Sequence, residues 1–195
     1  MTDRAEQPAV SAEVLPGLPL RTSADTDGDV SRVLSKLERG GLDLRILRTI
    51  ANSPNCFRPF ILMSDALNNR AVLPARCREL AILWLAARDR VGYEWEEHIS
   101  MSSNAGVTEE ERDALAGSRD PVESMDSLSD ADRVVLRAVK DLADSGRMDV
   151  ATWNSLSELW GVAGALDVLF VFCWWGKFVP AAIRAIGLEP SAPVW

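Results

Sequence analysis

The chain is short of the residues on which most recognisable chemistry depends. It has one histidine, His98, in 195 residues, which excludes poly-histidine zinc sites and two-histidine facial triads. Its three cysteines, Cys56, Cys77 and Cys173, are far apart, so no disulfide framework and no CxxC redox pair exists. Lys plus Arg (21) is outnumbered by Asp plus Glu (29), for a net charge of −8 without a basic block. Such a chain repels nucleic acid and anionic lipid, and both are poor partners for it. The polar start MTDRAEQPAV lacks the basic and apolar regions of a signal peptide. The longest apolar stretch, Val168 to Gly176, is bounded by Asp167 and Lys177 and is too short for a membrane span. Unpaired cysteines and the absence of a leader place the expectation in the cytoplasm.

What is present is helical. Hydrophobic residues make up 47% of the chain and charged residues 26%, enough to bury a core. Residues 1–28 are rich in Pro, Ser, Thr, Asp and Gly and read as an N-terminal arm, pinned through Leu15, Leu18 and Leu20. Residues 29–190 form the domain and 191–195 a tail. Helices are predicted over Val30–Glu38, Leu42–Ile50, Pro54 to about Asn69, Pro74 to Arg88, and Tyr93–Asn104. Thr108-x-x-Glu111 and Ser129-x-x-Asp132 are capping boxes for two more. Asp149 is expected to cap a helix carrying Trp153 and Trp160, and a last helix runs from about Gly164 to Ile186. No stretch alternates with period two, so the fold class is all-α.

One region combines ionisable groups with apolar surroundings. Leu80 to Ala87 is apolar throughout and predicts a helix buried on all sides. Glu79 begins this run, with Ile82, Leu83 and Ala86 on its own face. A carboxylate there is desolvated, which raises its pKa unless a cation, Arg76 or another arginine, pairs with it. His98 shares a helix face with Glu94, Trp95, Met101 and Ser102. A histidine beside a carboxylate is a common proton-transfer device, although a satisfied structural histidine fits the same pattern. Spacing alone does not establish that Glu79 and His98 meet: in a straight hairpin Glu79 stands about 16 Å from the turn and His98 about 8 Å, at 1.5 Å per residue, and they meet only if the helices cross steeply or bend. Trp174 and Trp175, beside Phe170, Phe172 and Phe178, are either core and interface or the wall of an apolar ligand pocket. One imidazole and two carboxylates (His98, Glu94, Glu79) are also a donor set for Mn²⁺ or Fe²⁺, a weaker alternative.

The run LPARCRELAILWLAARDRVGYEWEEHISMSSNAGVTEEE, Leu73 to Glu111, resembles the carboxymuconolactone decarboxylase and alkylhydroperoxidase-D superfamily. The shared pattern is R-x-R-E-L, a turn, Y-E-W-x-x-H, then A-x-x-x-G-[VL]-[ST]-x-x-E. Ile46 to Phe60 is similar to the preceding segment of that family, and the likeness spans roughly residues 40–190. It implies an alkylhydroperoxidase-D-like helical fold assembled as a trimer or hexamer. In the peroxidase branch a glutamate, a CxxC pair and a histidine form a proton relay; the matching residues are Glu79 and His98, while the cysteine positions fall on Val91 and Glu94. Without a thiolate, peroxide reduction does not carry over.

The resemblance therefore implies a decarboxylase-like lyase or isomerase that moves a proton on a small carbonyl or lactone compound without cofactor or metal. His98 is the expected shuttle, Glu79 its orienting partner, Tyr93 a hydrogen-bond donor to a developing enolate oxygen, and Glu94 a further member of the set. Trp95, Trp174, Trp175, Lys177 and Arg76 are the expected substrate contacts. Trp174-Trp175-Gly176-Lys177 stands where many relatives carry a Gly-His-Tyr-like stretch, and its tryptophans suit a more apolar ligand. The alternative is a non-enzymatic ligand-binding or scaffold protein that has lost the redox cysteines.

Overall fold

A computed structural model describes residues 18–42, 44–123 and 125–195. Among these residues there are nine α-helices and no strand. The helices are α1 (Gly28–Arg39), α2 (Arg45–Ile50), α3 (Pro54–Asp65), α4 (Ala75–Arg88), α5 (Gly92–Asn104), α6 (Glu109–Gly117), α7 (Asp130–Ser145), α8 (Val150–Cys173) and α9 (Val179–Ile186). The all-α expectation therefore holds.

The core is organised around α4. Every residue from Cys77 to Ala87 is buried, as a run with no polar face requires. α5, α6, α7 and α8 all pack against it. The capping boxes at Thr108 and Ser129 are both formed, each hydroxyl accepting from the backbone N–H three residues on. Gly146 and Gly187 end α7 and α9 in the left-handed conformation that a Cβ disfavours.

Several boundaries differ from expectation. The segment Leu42–Ile50 is helical only from Arg45. Asp149 stands at the start of α8, but its side chain makes no capping hydrogen bond. The chain direction breaks at Gly161 (φ 68°, ψ 179°), so α8 consists of two rods meeting there rather than at Gly164. Two π-helical turns interrupt the α-helical pattern: Ala66–Arg70 prolongs α3, and Trp174–Phe178 joins α8 to α9. Such turns aim side chains away from the helical register and are frequent at functional sites.

The N-terminal arm is tied down where it is described: the Arg21 N–H donates to Arg48 O, and Asn52 Nδ2 donates to Pro19 O at 2.7 Å. Leu18 is half-buried and Leu20 exposed, while Leu15 lies outside the described residues. The tail folds back on α5, where the Ser191 N–H meets the Glu96 carboxylate and the Trp195 ring lies 5.4 Å from that of Trp95.

The apolar stretch near the C-terminus is longer in three dimensions than the run Val168–Gly176. Val150–Ile186 forms one near-continuous helical stretch of 37 residues with a window of mean hydropathy 1.7, long and apolar enough to cross a membrane, and 33% of that window is buried inside the chain. Its inward face packs on α4 and α7, and Asp167 within it accepts the backbone N–H groups of Val72 and Leu73. Leu159 before the break at Gly161, and Val162, Leu166 and Phe170 after it, are exposed.

Candidate functional site

Glu79 and His98 meet. His98 Nδ1 lies 2.8 Å from Glu79 Oε2, with both side chains almost wholly inaccessible. The carboxylate is braced on its other oxygen by the Arg78 guanidinium, 3.1 Å away. Burial opposes ionisation of Glu79, but the hydrogen bond and charge of His98, with Arg78 behind, hold it below its ordinary value. Burial likewise opposes a charged His98, and the Glu79 hydrogen bond and charge overcome it, raising the imidazole pKa. The pairing thus favours the charged forms of both groups, with Nδ1 the imidazole nitrogen that faces Glu79.

The other imidazole nitrogen faces a second acid. His98 Nε2 is 3.6 Å from Glu94 Oε1, one turn earlier on α5. Glu94 is 3% exposed, and Oε1 has no hydrogen-bond partner. Desolvation pushes its carboxyl up to about 7, with the charge of His98 pulling weakly the other way. Two carboxyls on one imidazole therefore have their pKa values driven apart, the arrangement by which acid and base roles are separated. They sit on opposite ring nitrogens, so they do not converge with His98 on one cation, and among the described residues no group of three or more His, Cys, Asp or Glu side chains is placed to hold a metal ion.

Glu94 and His98 border a cavity of about 510 Å³, a size that suits a small organic ligand. Leu37, Leu44 and Leu47 from the α1–α2 region, Phe60 and Ile61 of α3, and Val179 of α9 make its apolar wall. Both π-helical turns contribute, one through Asn68 and the other through Trp175. The Trp175 ring stands edge-on to His98, with centroids 5.2 Å apart. Gly176 permits this: a Cβ there would lie 3.0 Å from a Leu85 methyl on α4.

Other expected contacts lie elsewhere. The Tyr93 side chain lines the cavity, where its hydroxyl accepts the Ile46 N–H at 3.1 Å and interacts with Glu97 as well. Trp95 is turned toward Trp195. Trp174 faces a separate surface groove with Pro59, Met63 and Phe178, stacks on Phe178 at 4.7 Å, and donates Nε1–H to Ser64 Oγ. Lys177 is exposed, its ammonium 5.2 Å from the Phe172 ring centre. Arg76 is a structural clamp, bonded to Glu111 at 2.6 and 3.0 Å and to Asp132 at 3.1 Å. Cys77 donates to Asp132 at 3.3 Å, and burial raises its thiol to about 12, so it is inert.

Sequence reasoning missed Asn68 and the α1–α2 wall. The face residue Met101 is legible from the helical spacing around His98; Leu37 and Leu44 carry no local signal.

Compared with family models, curated proteins and solved structures, the chain matches none.

Proposed function

We propose that this chain is a cofactor-independent lyase or isomerase, of the carboxymuconolactone decarboxylase-like kind, acting on a small carbonyl or lactone compound by proton transfer. The observation that carries this reading is the imidazole of His98, held between Glu79 at 2.8 Å and Glu94 at 3.6 Å at the wall of an apolar cavity. The Glu94 carboxylate, poised to ionise near neutrality, takes a proton from the carbon beside the carbonyl. The electron pair of that C–H bond moves into the carbonyl, giving an enolate whose charge the His98 imidazolium balances. Return of the proton from Glu94 to a different carbon completes an isomerisation. In the decarboxylating variant the C–C bond to a carboxylate breaks instead, carbon dioxide leaves, and the resulting enolate takes a proton from the Glu94 carboxylic acid. Glu79 acts through His98, fixing its tautomer and charge.

The same reading includes an alkylhydroperoxidase-D-like arrangement of the helices and self-association as a trimer or hexamer. The exposed residues Leu159, Val162, Leu166 and Phe170 support the self-association. Partners are thus a small molecule and further copies of the chain, in the cytoplasm. The absence of thiols at Val91 and Glu94 argues against peroxide reduction.

A non-enzymatic binder of apolar molecules is the second reading, favoured by the largely aliphatic wall of the cavity. Exchange of α-hydrogens of cyclic ketones in D₂O separates the two. Catalysed exchange that disappears in His98→Ala and Glu94→Gln supports the enzyme; tight binding without exchange at any pH supports the binder.

A further inference from the structure

Two other indole nitrogens of this chain have partners. Trp84 Nε1 donates to Ser118 O at 3.3 Å, and Trp174 Nε1 to Ser64 Oγ at 3.2 Å. Trp175 Nε1 is different: the residue is 8% exposed and lines the cavity, yet this nitrogen has no hydrogen-bond partner. An indole N–H is a donor only, and a buried donor left unpaired is destabilising. Two other atoms of the same wall share its state, Glu94 Oε1 and Asn68 Oδ1. An unpartnered donor and an unpartnered acid oxygen thus belong to two residues that both contact His98, Trp175 edge-on to its ring and Glu94 at 3.6 Å from Nε2.

The charges around the cavity restrict what fills it. Arg78 is committed to Glu79, and Arg76 to Glu111 and Asp132. The cationic lining residue is Lys36, which is exposed, whereas Glu94 and Glu97 both border the space. A ligand carboxylate placed deep inside would meet the acids Glu94 and Glu97, while His98 is already matched by Glu79. A neutral carbonyl group fits better: its oxygen accepts one hydrogen bond, and the acidic C–H lies one bond away, so a single functional group addresses both the donor and the base.

We infer that the Trp175 Nε1–H is the hydrogen-bond donor for the carbonyl oxygen of an uncharged, largely apolar ligand seated beside His98. This rests on the carbonyl proton-transfer reading and deepens it, giving the enolate-facing position to Trp175, whose indole N–H has no other partner. Trp175 packs edge-on against His98 and lines the same cavity as His98 and Glu94, and the hydrogen bond strengthens as charge develops on the oxygen.

The test uses the full chain with ¹⁵N-labelled tryptophan and 4-tert-butylcyclohexanone as the probe, with tert-butylcyclohexane and 4-tert-butylcyclohexanecarboxylate as its oxygen-free and anionic counterparts. The Trp175 indole resonance is assigned by its loss in Trp175→Phe and, independently of that variant's folding, by its nuclear Overhauser effect to the sole imidazole. The expected result is a downfield shift of this resonance on adding the ketone but not the hydrocarbon. Trp175→Phe should bind the ketone about five- to tenfold more weakly and the hydrocarbon equally well, and should lower kcat/KM for α-hydrogen exchange by a similar factor without moving its pH profile. The carboxylate should bind at least about tenfold more weakly than the ketone. An unmoved resonance at saturating ketone, no ketone binding at all, or unchanged ketone affinity in Trp175→Phe overturns the inference. Exchange that survives His98→Ala while the resonance still shifts overturns the proton-transfer reading and leaves the donor assignment standing.

Discussion

Glu94 Oε1 and His98 Nε2 lie 3.6 Å apart, one turn apart on α5, and the acid of this pair is buried with that oxygen unpartnered. Burial raises the Glu94 carboxyl from 4.5 to about 7. A group whose folded pKa is raised contributes stability that is fully present below its unfolded pKa, here 4.5, and is lost as pH rises through about 7. Glu94→Gln removes that loss. The variant should be more stable than the parent by about 1–3 kcal/mol at pH 8.5, with little difference near pH 5. Urea unfolding at the two pH values measures this; an advantage that does not grow with pH contradicts a desolvated carboxyl. Exchange activity should fall about 100-fold or more.

His98→Ala leaves the Glu79 carboxylate buried with Arg78 as its remaining partner. Truncating one member of a buried pair costs about 3–5 kcal/mol, so the variant should show a lower urea midpoint together with loss of exchange. Glu79→Gln keeps shape and hydrogen bonding but removes the charge that raises the imidazole pKa. Its signature is a downward shift of the His98 titration, followed by NMR of the single imidazole. An unshifted titration would remove Glu79 from its positioning role.

Arg76 separates structure from chemistry. It joins α4 to Glu111 and Asp132, and Glu111 is held at about 2 by that hydrogen bond, against an ordinary value of 4.5. Stability from a depressed carboxyl is present above its unfolded pKa and is lost as pH falls from about 4.5 through about 2. Arg76→Met should cost about 2–4 kcal/mol near neutrality, with a smaller deficit at pH 2, and leave the KM of neutral ketones unchanged. A raised KM without loss of stability would return Arg76 to substrate binding.

The exposed apolar residues of α8 should mediate self-association. Leu166→Lys combined with Phe170→Lys places two charges on that exposed face and should convert the assembly to monomers in sedimentation velocity while preserving the helical circular dichroism. A parent chain that sediments as a monomer at micromolar concentration would refute the proposed assembly.

Local physics is the part of this protein that can be read in one dimension. The apolar run Leu80–Ala87 dictates a helix buried all round, and Thr108 and Ser129 start helices because their hydroxyls and the acids three residues on satisfy free N–H groups. The same locality places Glu94 one turn from His98. It also places Glu79 in an apolar setting, since neighbours at i+3 and i+4 are fixed by helical geometry.

Only the tertiary structure decided the rest. Glu79 and His98 stand at unequal distances from the turn between α4 and α5, and the packing of the two helices brings their side chains to 2.8 Å. It paired Glu79 with Arg78 rather than Arg76, and it turned Trp175 into the cavity while Trp174 and Trp95 face elsewhere. The π-helical turn at Trp174–Phe178 alters the helical register that spacing rules assume. Residue types and their periods determine helices, caps and burial because those depend on neighbours a few positions away. The cavity depends on contacts between α1, α2, α3, α5 and α9, whose mutual placement comes from how side chains interlock across the core.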